Sequence, residues 1–183
     1  MQLRIKALSH KTLGKYLAGR YLHNASRQQI RAFLLGCTQP DKNPATYLKG
    51  SIRCKWLRGH NWNNARRFME RLARRLEKKQ CLRLLDYYTM GKLIHYTVDA
   101  FTSSHNDHFP TALQIHRSYE NQLQAYFLPY LKQRKHNAQT ACTSIMETIC
   151  FYHKEYAQIP SNIRTDSRYC VLVTSLVLCI LLA

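Results

Sequence analysis

Apolar and polar positions follow a helical period through most of the chain. Within residues 10–24, Leu13, Tyr16, Leu17 and Tyr21 recur every three to four positions, which predicts an amphipathic helix. No segment shows the strict alternation of a half-buried strand, and Gly and Pro number only 6 and 5. The pattern therefore predicts an all-α protein.

The same pattern predicts the other helices and one long loop. Ser26 is a suitable N-cap for a helix that we expect to end at Gly36. Residues 37–62 carry several Pro and Gly residues, which predicts a loop. Asn63 or Asn64 is then expected to cap the next helix. Further helices are predicted over 64–79, 82–104, 111–132 and 138–157.

The end of the chain differs from the rest, since residues 169–183 contain no charged side chain. As a helix these 15 residues would span roughly 22 Å, less than the ~30 Å hydrocarbon core of a bilayer. Arg164 and Arg168 precede the segment, as cationic residues do on the cytoplasmic side of an anchor. A last core helix, a short membrane anchor and an apolar tail packed on the domain all fit. We expect residues 1–160 to form one domain and 161–183 to be this apolar segment.

Charge and cysteine content narrow the class of protein. Lys and Arg total 28 against 10 Asp and Glu, a net charge of +18. Such a surface attracts an anionic membrane surface or nucleic acid, unless it is simply solvated. The seven Cys form no CxxC pair, which excludes a disulfide framework and a zinc ribbon. No apolar run opens the chain, so we expect no signal peptide and a cytoplasmic protein.

Residue types that bind metal ions are grouped in the middle of the chain. His95 and Asp99 are four positions apart, as are His116 and Glu120, so on a helix each pair shares one face. His105 lies between the two pairs. Imidazole and carboxylate are ligands of zinc, and a metal ion offsets the cost of burying them among apolar neighbours. A surface or helix-end salt bridge is the alternative for each pair.

With the rest of the chain included, the order of these residues resembles the zinc-dependent phospholipase C family, which is related to the S1/P1 nucleases. The resemblance covers roughly residues 10–120 and includes a Gly36-to-Asp41 segment. The matching positions are His10, Asp41, His60, His95, Asp99, His105, His116 and Glu120.

The resemblance implies a multi-helix bundle around two or three Zn²⁺ ions. One ion would be held by Asp41, His60, His95 and Asp99. A second would be held by His105, His116 and Glu120. A third would be held by His10 and would share Asp99, with help in the family from an N-terminal Trp. No Trp precedes His10, so we expect that place to take the Met1 amine or water, or to stay empty.

The implied activity is hydrolysis of a phosphate ester, with a phospholipid phosphodiester as substrate. Zinc would activate a water molecule, and Asp41 would orient or deprotonate it. A nuclease or nucleotidase on the same scaffold, and a non-catalytic metal-binding domain associated with membranes, are the alternatives.

A few residues have two interpretations. His108 could replace His105 as a ligand, and Trp56 and Trp62 could line a cleft or pack in the core. His23, His136 and His153 are predicted to be surface or ordinary helix residues. The cationic residues of one predicted helix could form a solvated face or a face that docks on an anionic surface. These residues are Arg66, Arg67, Arg71, Arg74, Arg75, Lys78 and Lys79.

Overall fold

The computed structural model describes residues 3–43, 60–106, 113–133, 144–160 and 162–183, without the side chains of 3–8, 113 and 116. These residues form seven α-helices and no strand, which confirms the all-α prediction. The helices are α1 (Leu3–Tyr21), α2 (Arg27–Lys42), α3 (Trp62–Glu77), α4 (Leu84–Ala100), α5 (Leu113–Gln133), α6 (Ile145–Tyr156) and α7 (Ile163–Leu182). A 3₁₀ turn, Ser103–His105, follows α4.

Side-chain caps define where several helices begin. Ser26 and Gln29 form a reciprocal capping box at α2, with the Ser26 N–H donating to the Gln29 Oε1 at 2.7 Å. Helix α3 is capped by Asn61, whose Oδ1 accepts the Asn63 N–H at 2.9 Å. The predicted caps, Asn63 and Asn64, were therefore wrong by two and three positions, because an earlier Asn satisfies the free N–H groups.

The predicted end of α2 at Gly36 was wrong, because the helix continues to Lys42. Gly36 lies where α2 crosses α4, and a side chain there would clash with the carbonyl oxygen of Tyr88. Its function is close packing between two helices rather than helix termination. Asp41 consequently lies on the last turn of α2 instead of in a loop.

Helix α4 lies at the centre of the protein, packed by α1, α2, α3 and α7. From Asp86 to Ala100 it is buried almost all round, and Met90, Leu93 and Ile94 are at most 1% exposed. Its central position places the polar residues His95 and Asp99 in the interior of the protein.

Helix α7 is part of this core. It begins six residues before the uncharged segment, and Val171, Val173 and Val177 are fully buried. Among the described helices it alone has the length and apolar content to cross a membrane, and 61% of its apolar window is buried inside the protein. The core helix of a soluble protein has the same properties.

Some predictions fall outside the described residues. These are the loop over 44–59, the helix start over 138–143, and the roles of Trp56, His108 and His136. The helix predicted over 82–104 is shorter, because α4 ends at Ala100 and the chain turns before His105.

Candidate metal centre

Seven of the eight residues singled out in the sequence have described side chains, and these meet at one place in the bundle. Six of them lie on α1, α2, α4, the 3₁₀ turn and α5, and the seventh lies two residues before α3: His10, Asp41, His95, Asp99, His105 and Glu120, with His60 before α3. All but Glu120 are buried, and the Glu120 side chain is 12% exposed. The side chain of His116 lies outside the described part of the structure, although its backbone lies on α5.

The crossing of α2 and α4 brings Asp41 beside His95. The backbone of Cys37 accepts a hydrogen bond from the His95 Nδ1 at 3.0 Å, which directs the Nε2 towards the centre. That Nε2 lies 3.7 Å from the Asp41 Oδ1 and 3.2 Å from the Asp99 Oδ2. A backbone carbonyl behind a histidine is the usual way of orienting a metal ligand.

Three ligand-type atoms form a tight triangle in the interior. The His60 Nδ1 lies 2.7 Å from the Asp99 Oδ2 and 3.2 Å from the His95 Nε2. The ligand atoms of a tetrahedral zinc lie about 3.3 Å apart, given bonds of about 2.0–2.1 Å. His60, His95 and Asp99 could therefore hold one metal ion.

His10 belongs to the same cluster. Its Nε2 lies 3.3 Å from the Asp99 Oδ1 and 3.8 Å from the Asp41 Oδ2. Its ring stacks on that of His95, with the centroids 4.0 Å apart. His10, Asp41 and His95 form a second group that could hold a metal ion.

The third part of the cluster joins the 3₁₀ turn to α5. The His105 Nε2 lies 3.4 Å from the Glu120 Oε1 and 3.8 Å from the Asp99 Oδ1. A small cavity of about 30 Å³ borders on His10, Asp99, His105 and Glu120. That space is sufficient for an ion or a water molecule.

The charges of the cluster are strongly coupled. Burial lowers the pKa of His95, but the carboxylates of Asp99 and Asp41 outweigh burial and raise it to about 9. Burial raises the pKa of Asp99, but His105 and His95, with hydrogen bonds from His10 and His60, hold it well below its usual range. An arrangement that stabilises cationic imidazoles around carboxylates also suits a metal cation.

Two buried polar atoms indicate that a cation suits the cluster. The Asp41 Oδ2 and the His10 Nδ1 are buried and have no hydrogen-bond partner among the described residues. A buried carboxylate oxygen without a partner is costly unless a cation lies against it. The donor set of imidazole nitrogens and carboxylate oxygens is one that zinc accepts.

A second polar network, which the sequence pattern does not predict, lies behind the cluster. Asp166 on α7 is fully buried and accepts the Ser103 N–H at 2.7 Å, at the start of the 3₁₀ turn that carries His105. One signal was available, since an acidic residue is rare in this basic chain and opens its most apolar segment.

Trp62 and His153 pack on each other beside the cluster. Their ring centroids lie 3.9 Å apart, and the His153 Nε2 lies 3.2 Å from the Asn106 Oδ1. Both residues are half-buried, so Trp62 packs here and His153 is a helix residue with a defined contact.

Comparison with protein families agrees with the geometry. The family model "Zinc dependent phospholipase C" matches residues 9–164, a segment that contains all eight positions singled out in the sequence. Comparisons with curated proteins and with solved structures find no match. The family model spans most of the chain, and the chain therefore belongs to the zinc-dependent phospholipase C family.

Proposed function

We propose that this protein is a zinc-dependent phosphoric ester hydrolase of the phospholipase C type, which cleaves a phospholipid phosphodiester. One observation carries the proposal: the imidazoles and carboxylates of His10, Asp41, His60, His95 and Asp99 lie in two overlapping groups that could hold metal ions. Membership of the family supports this reaction class.

The ligand sets that we propose follow the resemblance, and the distances between the described side chains support them; His116 is included on the resemblance alone. Asp41, His60, His95 and Asp99 hold one Zn²⁺ ion. His105, His116 and Glu120 hold a second. His10 and Asp99 hold a third, and the Asp41 Oδ2 at 3.8 Å from the His10 Nε2 is close enough to contribute.

The chemistry combines zinc with the residues around it. Zinc held here would lower the pKa of a water molecule and offset the negative charge that grows on the phosphoryl oxygens. Asp41 orients the attacking water and accepts its proton. The water oxygen forms a bond to phosphorus, the bond to the leaving oxygen breaks, and the proton passes to that oxygen.

We propose that the protein meets its substrate at an anionic membrane surface. Helix α3 starts two residues after His60, and its exposed face carries Arg67, Arg71 and Arg74 at helical spacing. Lys78 continues this face. A helix face with four cations binds anionic lipid headgroups.

We further propose that α7 is the last core helix, so that contact with the membrane is made through α3. The burial of Val171, Val173 and Val177 supports this, because an anchor helix would leave the domain. A nuclease remains the second candidate, since a net charge of +18 also suits single-stranded nucleic acid.

The experiment measures zinc content and hydrolysis on the same purified protein. We expect two or three zinc per chain, and release of the phosphorylated headgroup from mixed phosphatidylcholine vesicles but no hydrolysis of single-stranded DNA. Hydrolysis of DNA alone would replace the first function with the second, and zinc-free protein would contradict both.

Asp41→Asn tests the role of the carboxylate. It should reduce turnover by about 10²–10⁴-fold, the usual contribution of a general base, while zinc largely stays bound. The matched control is Asp86→Asn, which alters a buried aspartate at the start of α4, away from the cluster. Unchanged turnover in Asp41→Asn would remove Asp41 from the mechanism.

A further inference from the structure

A buried aspartate outside the metal cluster joins four parts of the chain. Asp166 lies in the first turn of α7 and is 0% exposed. Its Oδ2 accepts the Ser103 N–H and the Tyr119 hydroxyl, both at 2.7 Å. Its Oδ1 accepts the Ser103 hydroxyl at 2.8 Å and the Tyr156 hydroxyl at 2.7 Å. One carboxylate thus connects α7 to the 3₁₀ turn, α5 and α6.

Two of these partners lie beside proposed zinc ligands. Ser103 is two positions before His105 in the 3₁₀ turn, and Tyr119 directly precedes Glu120 on α5. The His105 Nε2 and the Glu120 Oε1 lie 3.4 Å apart. The Oδ2 of Asp166 accepts hydrogen bonds from both the 3₁₀ turn and α5. This single atom therefore fixes the position of His105 relative to Glu120.

We propose that Asp166 is a positioning residue for the second zinc site, which holds the His105 turn and the Glu120 helix at the separation at which both reach one ion. The inference rests on the proposed function, since it requires zinc at that site. Asp166 acts through Ser103 and Tyr119 and not on the substrate. It also lies beyond the segment matched by the family model, which ends at residue 164.

The network contains its own control. Tyr119 and Tyr156 each donate to Asp166 at 2.7 Å, but Tyr119 is on the helix that carries Glu120. Tyr156 is on α6, which carries none of the proposed ligands. Its hydroxyl also lies 3.0 Å from the Ser103 Oγ, but Ser103 keeps two direct bonds to Asp166 when that hydroxyl is removed. If Asp166 only anchors α7 in the fold, loss of either hydroxyl should have the same consequences. If it positions a zinc site, the two losses should differ.

The test compares Tyr119→Phe with Tyr156→Phe. Zinc affinity is measured by titration against a competing chelator, and Glu120→Gln identifies the binding step that belongs to the second site. We expect Tyr119→Phe to weaken that step by about 10–100-fold, as outer partners of metal ligands do, and Tyr156→Phe to change it less than about 3-fold. Thermal unfolding of both metal-free variants should show a similar loss of stability.

Two variants of Asp166 complete the test. Asp166→Ala should weaken the same zinc step, and Asp166→Asn should restore most of the affinity, because its amide oxygen still accepts the Ser103 N–H. Protein loaded with cobalt in place of zinc gives a second readout. Its visible absorption spectrum should differ from that of the wild type in Asp166→Ala and should match the wild type again in Asp166→Asn. If Asp166→Ala does not fold, the tyrosine pair decides.

The outcomes separate the inference from the proposed function. Wild-type zinc affinity in Tyr119→Phe, or equal weakening in the two tyrosine variants, would overturn the positioning role while leaving a zinc hydrolase in place. A wild-type protein that binds no zinc would overturn both.

Discussion

Gly36 of α2 and Gly91 of α4 lie face to face. A Cβ built on Gly36 would lie 3.0 Å from the Cα of Gly91, and one built on Gly91 would lie 2.9 Å from the Cα of Gly36. The two backbones therefore approach more closely than any side chain allows. Since Asp41 follows Gly36 by five positions and His95 follows Gly91 by four, this contact sets how close the two site residues come.

Substituting either glycine should separate the helices and weaken the metal site. Gly36→Ala or Gly91→Ala adds a methyl group against the backbone of the opposite helix, where no side chain can rotate away. We expect a loss of about 3 kcal/mol or more, at or above the upper end of the usual cost of overpacking. Zinc affinity should fall in the same variants. Urea unfolding and zinc titration measure the two effects.

The matched control is Gly19→Ala on α1. No atom lies within 4 Å of a Cβ built there, outside the helix's own backbone and chain neighbours, and the position is exposed. Alanine is the better helix former by about 1 kcal/mol, so this variant should be as stable as the wild type or more stable. If Gly36→Ala and Gly19→Ala were equally stable, the close crossing would not exist.

The sequence alone was sufficient where the relevant geometry lies within one helix. His95 and Asp99 share a face of α4 because they are four positions apart, and their Nε2 and Oδ2 lie 3.2 Å apart. Spacing says nothing about Asp41, whose nearness to His95 depends on the crossing of α2 and α4. Its place in the site came from the resemblance to a family.

The errors have local causes. A glycine at the end of a periodic segment suits both a helix end and a close helix crossing, and the neighbouring residues of Gly36 do not distinguish them. Asp166 lies between Arg164 and Arg168, a context typical of a solvated residue. Its partners Ser103 and Tyr119 are 63 and 47 positions away, beyond any local pattern.

Helix α7 should be required for folding. Val177→Asp places an unpaired carboxylate at a fully buried position, with an expected cost on the order of 4 kcal/mol or more. Leu182→Asp is the control, because Leu182 is 39% exposed near the end of the same helix. Thermal unfolding in detergent-free buffer measures both, and deletion of residues 169–183 should unfold the protein. A stable truncated protein that merely leaves the membrane fraction would identify an anchor instead.

The basic face of α3 should mediate binding to anionic vesicles. Arg67→Gln with Arg74→Gln removes two exposed charges from this face. Near a membrane surface each cation contributes about 1 kcal/mol, so binding should weaken about 30-fold and should also weaken with added salt. Sedimentation with phosphatidylserine vesicles measures this binding.

A control for this prediction has the same net charge as the test variant. Arg27→Gln with Arg31→Gln also removes two exposed charges, but from α2. Its affinity for vesicles should stay within a few-fold of the wild type. Equal weakening in the two double variants would mean that net charge, and not the α3 face, determines binding.

The coupled charges predict how pH affects the stability of the metal-free protein. The pKa of His95 is raised from 6.5 to about 9 by Asp99 and Asp41 against the effect of burial. Its contribution is therefore complete below pH 6.5 and is lost as the pH rises through about 9. The same attraction lowers the pKa of Asp99. Its contribution to stability is present above a pH of about 4, the pKa of an aspartate in the unfolded chain, and is lost as acid protonates Asp99.

Stability in chelator should therefore be highest between about pH 4 and 6.5 and fall towards pH 9. Since one pKa unit corresponds to about 1.4 kcal/mol, the fall attributable to His95 is roughly 3 kcal/mol. With excess zinc the trend from pH 6.5 to 9 should reverse, because zinc competes with the proton on His95. Urea unfolding across this range, with chelator or with zinc, measures both trends.

Two histidine variants test whether His95 is the titrating group. His95→Gln should flatten the decline of stability in chelator, whereas His23→Gln, at an exposed position, should leave it unchanged. An unchanged decline in His95→Gln would mean that another group titrates.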